Sequence, residues 1–253
     1  FAPRFLRTLP RDNALALCYP SPPSGWRGTF TLKSSNMLGT RYFHLSATRT
    51  EEKAGETSML KGSDKRVADH PIDKLFLDRW SPRAMSGEPI PHDELMTLFE
   101  AARWAPSSYN NQPWRILYAT RESEHWPLFF ELLVKSNQVW AQNAGALLLF
   151  ISKTTFDFNE KPSTTHTYDT GAAWENLALQ GWLKGYVVHG MQGFDYERAR
   201  TSLNIPEVFR VEAMAAVGLP ASAEVLPEKL QQIEAPSDRR KLEQTVCEGP
   251  FCF

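Results

Sequence analysis

The run AGALLLFISK, residues 144–153, limits the possible folds more than any other stretch, because nearly all of its residues are apolar whichever face they lie on. A strand with such a pattern has no face for water and must be covered by helices on both sides. With 253 residues and 42% hydrophobic content, the chain is long enough to supply that cover. The run therefore predicts the central strand of a sheet enclosed between two helical layers.

Beyond about residue 70 the chain alternates between helical and strand patterns. IPHDELMTLFEAARWA repeats apolar residues at helical spacing and stops at Pro106, whereas WRILYAT, YVVHGM and VEAMAAVGL have strand character. HWPLFFELLVKS is a second helical stretch, and another helix starts near Asp195. DTGAAWENLALQGWLKG predicts a long helix with Asp169 as its cap and Gly185 as its stop. Four strands among about six helices predict a three-layer α+β or α/β domain.

The first 50 residues differ from the rest in charge: they hold seven basic residues and one acidic residue, a net charge of +6 against −7 for the remainder. An Arg-rich, acid-poor leader is typical of a mitochondrial presequence, and a translated upstream region or disordered tail is the alternative. The following polar stretch is interpreted as a linker, so residues 1–69 are expected to be disordered leader and linker and residues 70–253 the folded domain. Met37 and Met59 are conceivable starts, and the expected location is the cytoplasm or the mitochondrial matrix.

Composition and missing motifs exclude several classes of partner and chemistry. Lys plus Arg number 28 against 29 for Asp plus Glu, so no overall field attracts nucleic acid or an anionic membrane. The longest apolar run beyond the leader is about eight residues, whereas a spanning helix needs roughly 20. Three cysteines, two of them in the last seven residues, predict a reducing compartment with no disulfide framework and no zinc site. Rossmann, P-loop, nucleophile-elbow and zinc-protease motifs are all missing, so a nucleotide would have to be bound in another way.

Two polar segments lie near the first predicted helices. In DRWSPR, two guanidiniums and a hydroxyl (Arg79, Ser81 and Arg83) can clamp a phosphate, and a solvated basic turn is the alternative. In APSSYNNQPW, residues 105–114, two prolines and large aromatic residues flank five short polar side chains. This pattern favours a stiff loop that presents donors and acceptors to a planar ring, although local turns explain one or two of these residues.

Three further polar segments follow later in the chain. Asn137 in SNQVWAQNA comes before the central strand, where a ligand residue and a cap or turn residue are both reasonable interpretations. Gly190 and Gly193 in HGMQGFD would let a flat ligand lie against the backbone, or form a tight turn into the next helix. PSDRRKLEQ adds a second cationic pair, Arg239 and Arg240, which taken alone is a solvated charge run.

In order and spacing these five segments resemble the FMN-dependent nitroreductase family, over about residues 70–251. The resemblance implies an α+β fold, a three-layer α/β/α sandwich with a central, mostly antiparallel sheet. It also implies a homodimer with FMN at the subunit interface and with the AAWENLALQGWL helix in that interface. Trp174 and Trp182, eight residues apart, suit such an interface, and an ordinary core position is the alternative for both.

The resemblance also implies which residues of this chain bind FMN. Arg79, Ser81 and Arg83, with Arg239 assisting, would hold the phosphate and ribityl chain. Trp80 departs from the family's usual basic or polar residue, so any contact there would use its backbone. The residues implied around the flavin ring are Pro106, Ser107, Ser108 and Asn110 from the partner subunit, Asn137 at the polar edge, and Gly190, Met191, Gln192 and Gly193 beside the ring. The backbone N–H of Gln192 or Gly193 would donate to flavin N5.

The activity that the resemblance implies is hydride transfer from NADH or NADPH through FMN to a small organic acceptor, in a ping-pong cycle. Nitroaromatics, quinones, activated alkenes and small aldehydes are all possible acceptors. No catalytic side chain and no metal are expected, although His166 and Tyr168 are candidates for substrate contact. The alternatives are reductive dehalogenation or flavin fragmentation in the same fold, and a flavin-binding homologue without turnover.

Overall fold

The computed structural model describes residues 29–37 and 40–48 as secondary structure and residues 60–253 in full. Strands β1 (Thr29–Met37) and β2 (Thr40–Thr48) pair as an antiparallel hairpin. The expectation that residues 1–69 are a disordered leader and linker stays a prediction. The origin of the leader, as transit peptide or upstream region, stays a prediction.

The folded domain begins near residue 60, earlier than the predicted boundary at residue 70. The indole N–H of Trp80 donates to the carbonyl of Leu60 at 2.6 Å. Arg66 is buried and donates to the carbonyls of Leu77 and Arg79 at 3.0 and 2.9 Å. The polar composition of this segment predicts a linker. In the structure the segment is attached to the domain by a buried arginine and by hydrogen bonds to backbone carbonyls, and not by a row of apolar side chains.

The sheet has four strands, as predicted, and every pairing between them is antiparallel. The strand order is β3-β4-β6-β5, which places β5 at one edge. A register shift between β4 and β6 marks a β-bulge beside Phe150 and Ile151. The strands are β3 (Trp114–Thr120), β4 (Ala146–Lys153), β5 (Val187–Met191) and β6 (Phe209–Gly218).

Helices cover both faces of the sheet, so the three-layer α+β fold is confirmed. Alternate residues of β4 enter two separate cores: Leu148 packs with α2 and α5, and Leu149 packs with α3, α4 and α6. The pattern that predicted a strand buried on both faces therefore holds. The helices are α1 (Lys74–Asp78), α2 (His92–Arg103), α3 (Trp126–Phe130), α4 (Lys135–Ala141), α5 (His166–Leu183), α6 (Tyr196–Ser202) and α7 (Glu228–Gln231).

Three local predictions need correction. HWPLFFELLVKS is not one helix, because the N–H of Val134 bonds the carbonyl of Gly193 at 3.0 Å and pulls the chain out between α3 and α4. Asp169 lies within the first turn of α5, where Thr165 is the N-cap, whereas Gly185, at φ +79°, does end that helix as predicted. Cys247 and Cys252 form a disulfide across a turn that contains Gly249 at φ +90°, which contradicts the expectation of no disulfide.

Candidate active site

A cavity of about 480 Å³ opens beside the C-terminal end of β5, within the size range of small-molecule sites. Three residues of the predicted glycine segment, Gly190, Met191 and Gln192, form one side of it. The other walls come from α5 and from neighbouring strands. These walls are Thr167, Thr170, Gly171 and Trp174 of α5, Phe150 of β4, and Glu212 and Ala213 of β6.

The wall formed by the glycine segment packs closely against Trp174 and carries free donors. A Cβ atom on Gly190 would lie 3.0 Å from Cζ2 of Trp174, so only glycine keeps the indole against the strand without a shift. The backbone N–H groups of Gln192 and Gly193 donate to no acceptor among the residues that the structure describes. A ligand at this wall therefore meets two free backbone hydrogen-bond donors beside the indole of Trp174.

Asn137 lies next to the same wall, but in helix α4 rather than in the loop before a strand that its sequence context suggested. Its side-chain amide donates to the carbonyl of Gly193 at 3.0 Å. A Cβ atom on Gly193 would come within 2.7 Å of that amide nitrogen. The structure thus brings Asn137 and the glycine segment together, and glycine at 193 is what permits the approach.

His189 joins the arginine segment to β5. Its ring Nδ1 lies 3.0 Å from the carbonyl of Pro82, between Ser81 and Arg83, so this nitrogen carries the proton and donates. Burial lowers the pKa of His189, opposed by its hydrogen bond to the Pro82 carbonyl. A neutral imidazole therefore fixes the segment DRWSPR beside the glycine wall.

Both arginines of this segment have carboxylate partners. Arg79 donates through one nitrogen to the two oxygens of Glu175, at 2.8 and 3.1 Å, and its guanidinium lies 5.8 Å from the centre of the Trp174 ring. Arg83 pairs with Glu234 at 3.4 Å. Neither side chain is fully exposed, so a simple solvated basic turn is not what forms here. The buried Nε of Arg79 keeps a proton for which the described residues offer no acceptor.

Arg66 belongs to the same positive region, although the sequence analysis does not select it. Burial, followed by the charges of Arg239 and Arg79, lowers the pKa of Arg66. Arg239 itself is exposed, and its contacts are with the neighbouring residues Ser237 and Asp238. An arginine in a polar segment gives no periodic signal, which is why Arg66 was missed.

The indole of Trp80 is buried in the domain, so its side chain faces away from solvent. A ligand contact through the backbone of Trp80, and the binding roles of the arginine segment as a whole, stay predictions.

The loop of residues 105–114 bonds largely to itself and its neighbours. The N–H of Gln112 donates to Oγ of Ser107 at 3.0 Å, and the N–H of Ser108 donates to the buried carboxylate of Asp169 at 3.0 Å. Three non-glycine residues have left-handed backbone angles, Tyr109 and Asn110 at φ 52° and Gln112 at φ 48°. These contacts hold a strained backbone in place.

Pro106 and Asn110 are exposed at the tip of this loop. The predicted role of Pro106, Ser107, Ser108 and Asn110 toward a partner subunit stays a prediction.

One polar group in the cavity wall was missed entirely. Glu212 accepts hydrogen bonds from Oγ of Ser152 at 2.5 Å and from Oγ1 of Thr167 at 2.9 Å. His166, a candidate for substrate contact, lies behind this group with Nδ1 2.7 Å from Oγ of Ser152. Tyr168, the other candidate, is exposed and is absent from the cavity wall.

The described residues contain neither a helix that could span a membrane nor a cluster of metal-ligating side chains. No helix there is long and apolar enough to cross a membrane. No three or more His, Cys, Asp or Glu side chains in that part of the chain come together as they would around a metal ion.

The fold and cavity define an α+β sandwich with a ligand-sized site at the edge of its sheet. Residues 77–219, more than half of the chain, match the nitroreductase family. An oxidoreductase containing FMN, known from its crystal structure, is 48% identical over 74% of this chain and 96% of its own, with a TM-score of 0.71. The chain belongs to the nitroreductase family, and the resemblance noted in its sequence is confirmed.

Two more distant relatives agree with this assignment. A nitroreductase family protein from Streptococcus pneumoniae, 20% identical, has the same fold, with a TM-score of 0.55 over 70% of this chain and 98% of its own. The NADH dehydrogenase of Thermus thermophilus is 27% identical, over 57% of this chain and 84% of its own.

Proposed function

We propose that this protein is an FMN-dependent oxidoreductase that passes a hydride from NADH or NADPH to a small organic acceptor, such as a nitroaromatic compound or a quinone, in a ping-pong cycle. The observation that carries the proposal is the cavity beside Gly190, with the free donors in its wall. Two relatives support it: the 48% identical oxidoreductase contains FMN, and the protein from Thermus thermophilus is an NADH dehydrogenase.

The chemistry of the free donors fits FMN. Besides the N–H groups of the glycine segment, the buried Nε1 of Trp174 and Nε of Arg79 have no acceptor in the part of the chain that the structure describes. Buried donors are normally satisfied, so the nitrogens of Trp174 and Arg79 point to a bound group rich in acceptor atoms, to which the two backbone N–H groups could also donate. The flavin ring and the phosphate of FMN both have such atoms.

The residues divide between the two ends of the cofactor. The phosphate would be held by Arg79, Ser81 and Arg83, with Arg239 assisting. Glu175 would orient the side chain of Arg79, and Glu234 would orient that of Arg83. The glycine segment would hold the ring, with Asn137 supporting the wall from behind. When bound, FMN supplies the hydride transfer, while the protein contributes orientation, exclusion of water and hydrogen-bond donors. No side chain is proposed as a nucleophile.

A second copy of the chain completes the site in this proposal. The loop tip with Pro106 and Asn110 is exposed, and it would reach the flavin of the partner subunit together with Ser107 and Ser108. The homodimer should therefore retain FMN better than a monomer. A panel of nitroaromatic, quinone, aldehyde and halogenated acceptors separates the proposed activity from dehalogenation. A bound flavin that neither NADH nor NADPH bleaches would favour a homologue without turnover.

The experiment that tests the cofactor is the visible spectrum of the purified protein, followed by anaerobic addition of NADH or NADPH. About one FMN per chain, bleached by at least one of the two, supports the proposal. Arg79→Ala should weaken FMN binding roughly tenfold to hundredfold, because a charge-assisted bond to the phosphate is lost. Arg103→Ala, which removes an exposed arginine paired with Glu100 on α2, is the matched control. Equal FMN affinity in both variants would place the phosphate elsewhere.

A further inference from the structure

Glu212 lies at the β-bulge of β6. Phe150 of β4 pairs with Ala213 and Ile151 pairs with Val211, so Glu212 is the residue left without a partner. A bulge turns one side chain out of the normal alternation of the strand, and bulges are frequent beside active sites. Here the bulge places a carboxylate, in a side chain that is only 12% exposed, in the wall of the cavity.

The carboxylate is held from behind by a directed chain of hydrogen bonds. The Ser152 hydroxyl has one proton, which it donates to Oε1 of Glu212. Since Nδ1 of His166 lies 2.7 Å from the same hydroxyl, this nitrogen must be the donor in that second bond. Thr167 adds another hydroxyl donor to Oε1. The position of the carboxylate is therefore fixed by groups that do not depend on a ligand.

The other oxygen of Glu212 remains available. Among the described residues Oε2 accepts no hydrogen bond, and Nε of Arg210, in a side chain that is 63% exposed, lies 3.6 Å away. A ligand with an N–H or O–H group, or with a positive charge, would supply the missing partner. A ligand carboxylate at this wall would meet a like charge in a partly water-excluded site, which is unfavourable.

We propose that Glu212 and Thr167 form a subsite that selects the electron acceptor: it favours neutral or cationic acceptors with a hydrogen-bond donor and rejects anionic ones. This inference rests on the proposed flavin-dependent function, since it assigns one wall of the same cavity to the acceptor. It makes Glu212 a specificity-determining residue, held in place by Ser152 and His166.

The test compares two acceptors that differ in charge, 4-nitrobenzamide and 4-nitrobenzoate, with the FMN-loaded protein. The wild type should prefer the amide in kcat/KM. Glu212→Gln keeps an oxygen that accepts from Ser152 and Thr167 but removes the charge. The ratio of kcat/KM for 4-nitrobenzoate to kcat/KM for 4-nitrobenzamide should therefore rise about tenfold. Glu131→Gln, which removes an exposed carboxylate paired with Arg198 near the opposite face of the sheet, should leave the ratio unchanged.

Two further measurements do not depend on the Glu212→Gln turnover rate. Calorimetric titration of the oxidised protein with 4-nitrobenzoate should show tighter binding in Glu212→Gln than in the wild type. Arg210→Ala removes the cation beside Glu212 and should shift the activity ratio the other way, toward the amide. The Arg210 variant keeps the proposal testable even where Glu212→Gln does not fold.

The outcomes separate the two proposals. The proposed function, and the subsite with it, is overturned if the wild type takes up no FMN. It is also overturned if neither NADH nor NADPH bleaches the bound flavin. The subsite alone is overturned by a protein with normal flavin content and bleaching in which Glu212→Gln changes neither the ratio of the two acceptor activities nor the affinity for 4-nitrobenzoate. An Arg210→Ala variant that favours the benzoate also contradicts it.

Discussion

Arg66 offers the strongest test of how the domain is held together, because it joins three distant segments. It donates to the carbonyls of Leu77 and Arg79 and, at 2.7 Å, to that of Ser237 in the C-terminal arm. Arg66→Met keeps most of the apolar stem and removes the guanidinium. Three bonds from a charged donor, at about 1.5–3 kcal/mol each, give a gross loss of about 4.5–9 kcal/mol.

The net loss is smaller, because the wild type spends several kcal/mol on taking the charged guanidinium out of water, and the variant does not. We therefore expect the free energy of unfolding to fall by about 2–4 kcal/mol. Urea titration followed by tryptophan fluorescence measures this change. Lys65→Met is the matched control, since Lys65 is the exposed neighbouring cation and its loss should cost less than about 0.5 kcal/mol. An Arg66→Met variant as stable as this control would refute the reasoning.

Two further predictions concern pH and packing. Because burial lowers the pKa of His189, its stabilising contribution is complete above about pH 6.5 and is lost as the pH falls through the lowered value. His189→Gln should therefore reduce the loss of stability in urea titrations between about pH 7.5 and pH 5, and an unchanged pH slope would contradict this. In thermal melts Gly62→Ala should cost about 2 kcal/mol or more, because its Cβ would lie 1.7 Å from the Leu77 carbonyl oxygen. Gly171→Ala, with nothing within 4 Å in helix α5, should instead gain about 0.5–1 kcal/mol, and equal melting temperatures of the two variants would rule out the steric argument.

Elements whose packing follows from local periodicity could be predicted from the sequence. The run 144–153 predicts β4 because its two faces pack in two cores, and IPHDELMTLFEAARWA predicts α2 because Leu95 and Leu98 share one buried face. The break between α3 and α4 could not be predicted, since it depends on a hydrogen bond between Val134 and Gly193, 59 positions later in the chain. Tertiary pairing of this kind overrides local helix preference.

The site shows the same division. The close approach at the glycine segment could be predicted as one of two alternatives, because closely spaced glycines at a strand end permit either a close approach or a tight turn, and the ligand role of the segment stays a prediction. Arg66 and Glu212 could not, because their roles depend on tertiary placement. A single carboxylate in the apolar strand VEAMAAVGL was the available signal for Glu212, but alternation of polar and apolar residues explains it equally well. Only the register of β4 against β6 shows that Glu212 sits at a bulge.

The position of the cavity wall follows from where β5 lies. As the edge strand it pairs with β6 on one side, and although Met191 at its end is buried in the core, Gly190 and Gly193 have no side chains to pack. Two hydrogen bonds beyond the sheet ladder add to that packing, one from His189 to the carbonyl of Pro82 and one from Asn137 to the carbonyl of Gly193. Substitutions at His189 or Asn137 should therefore weaken cofactor retention by moving the wall, even though neither contact involves the cofactor. These supporting bonds would thus position the backbone that the proposed cofactor contacts.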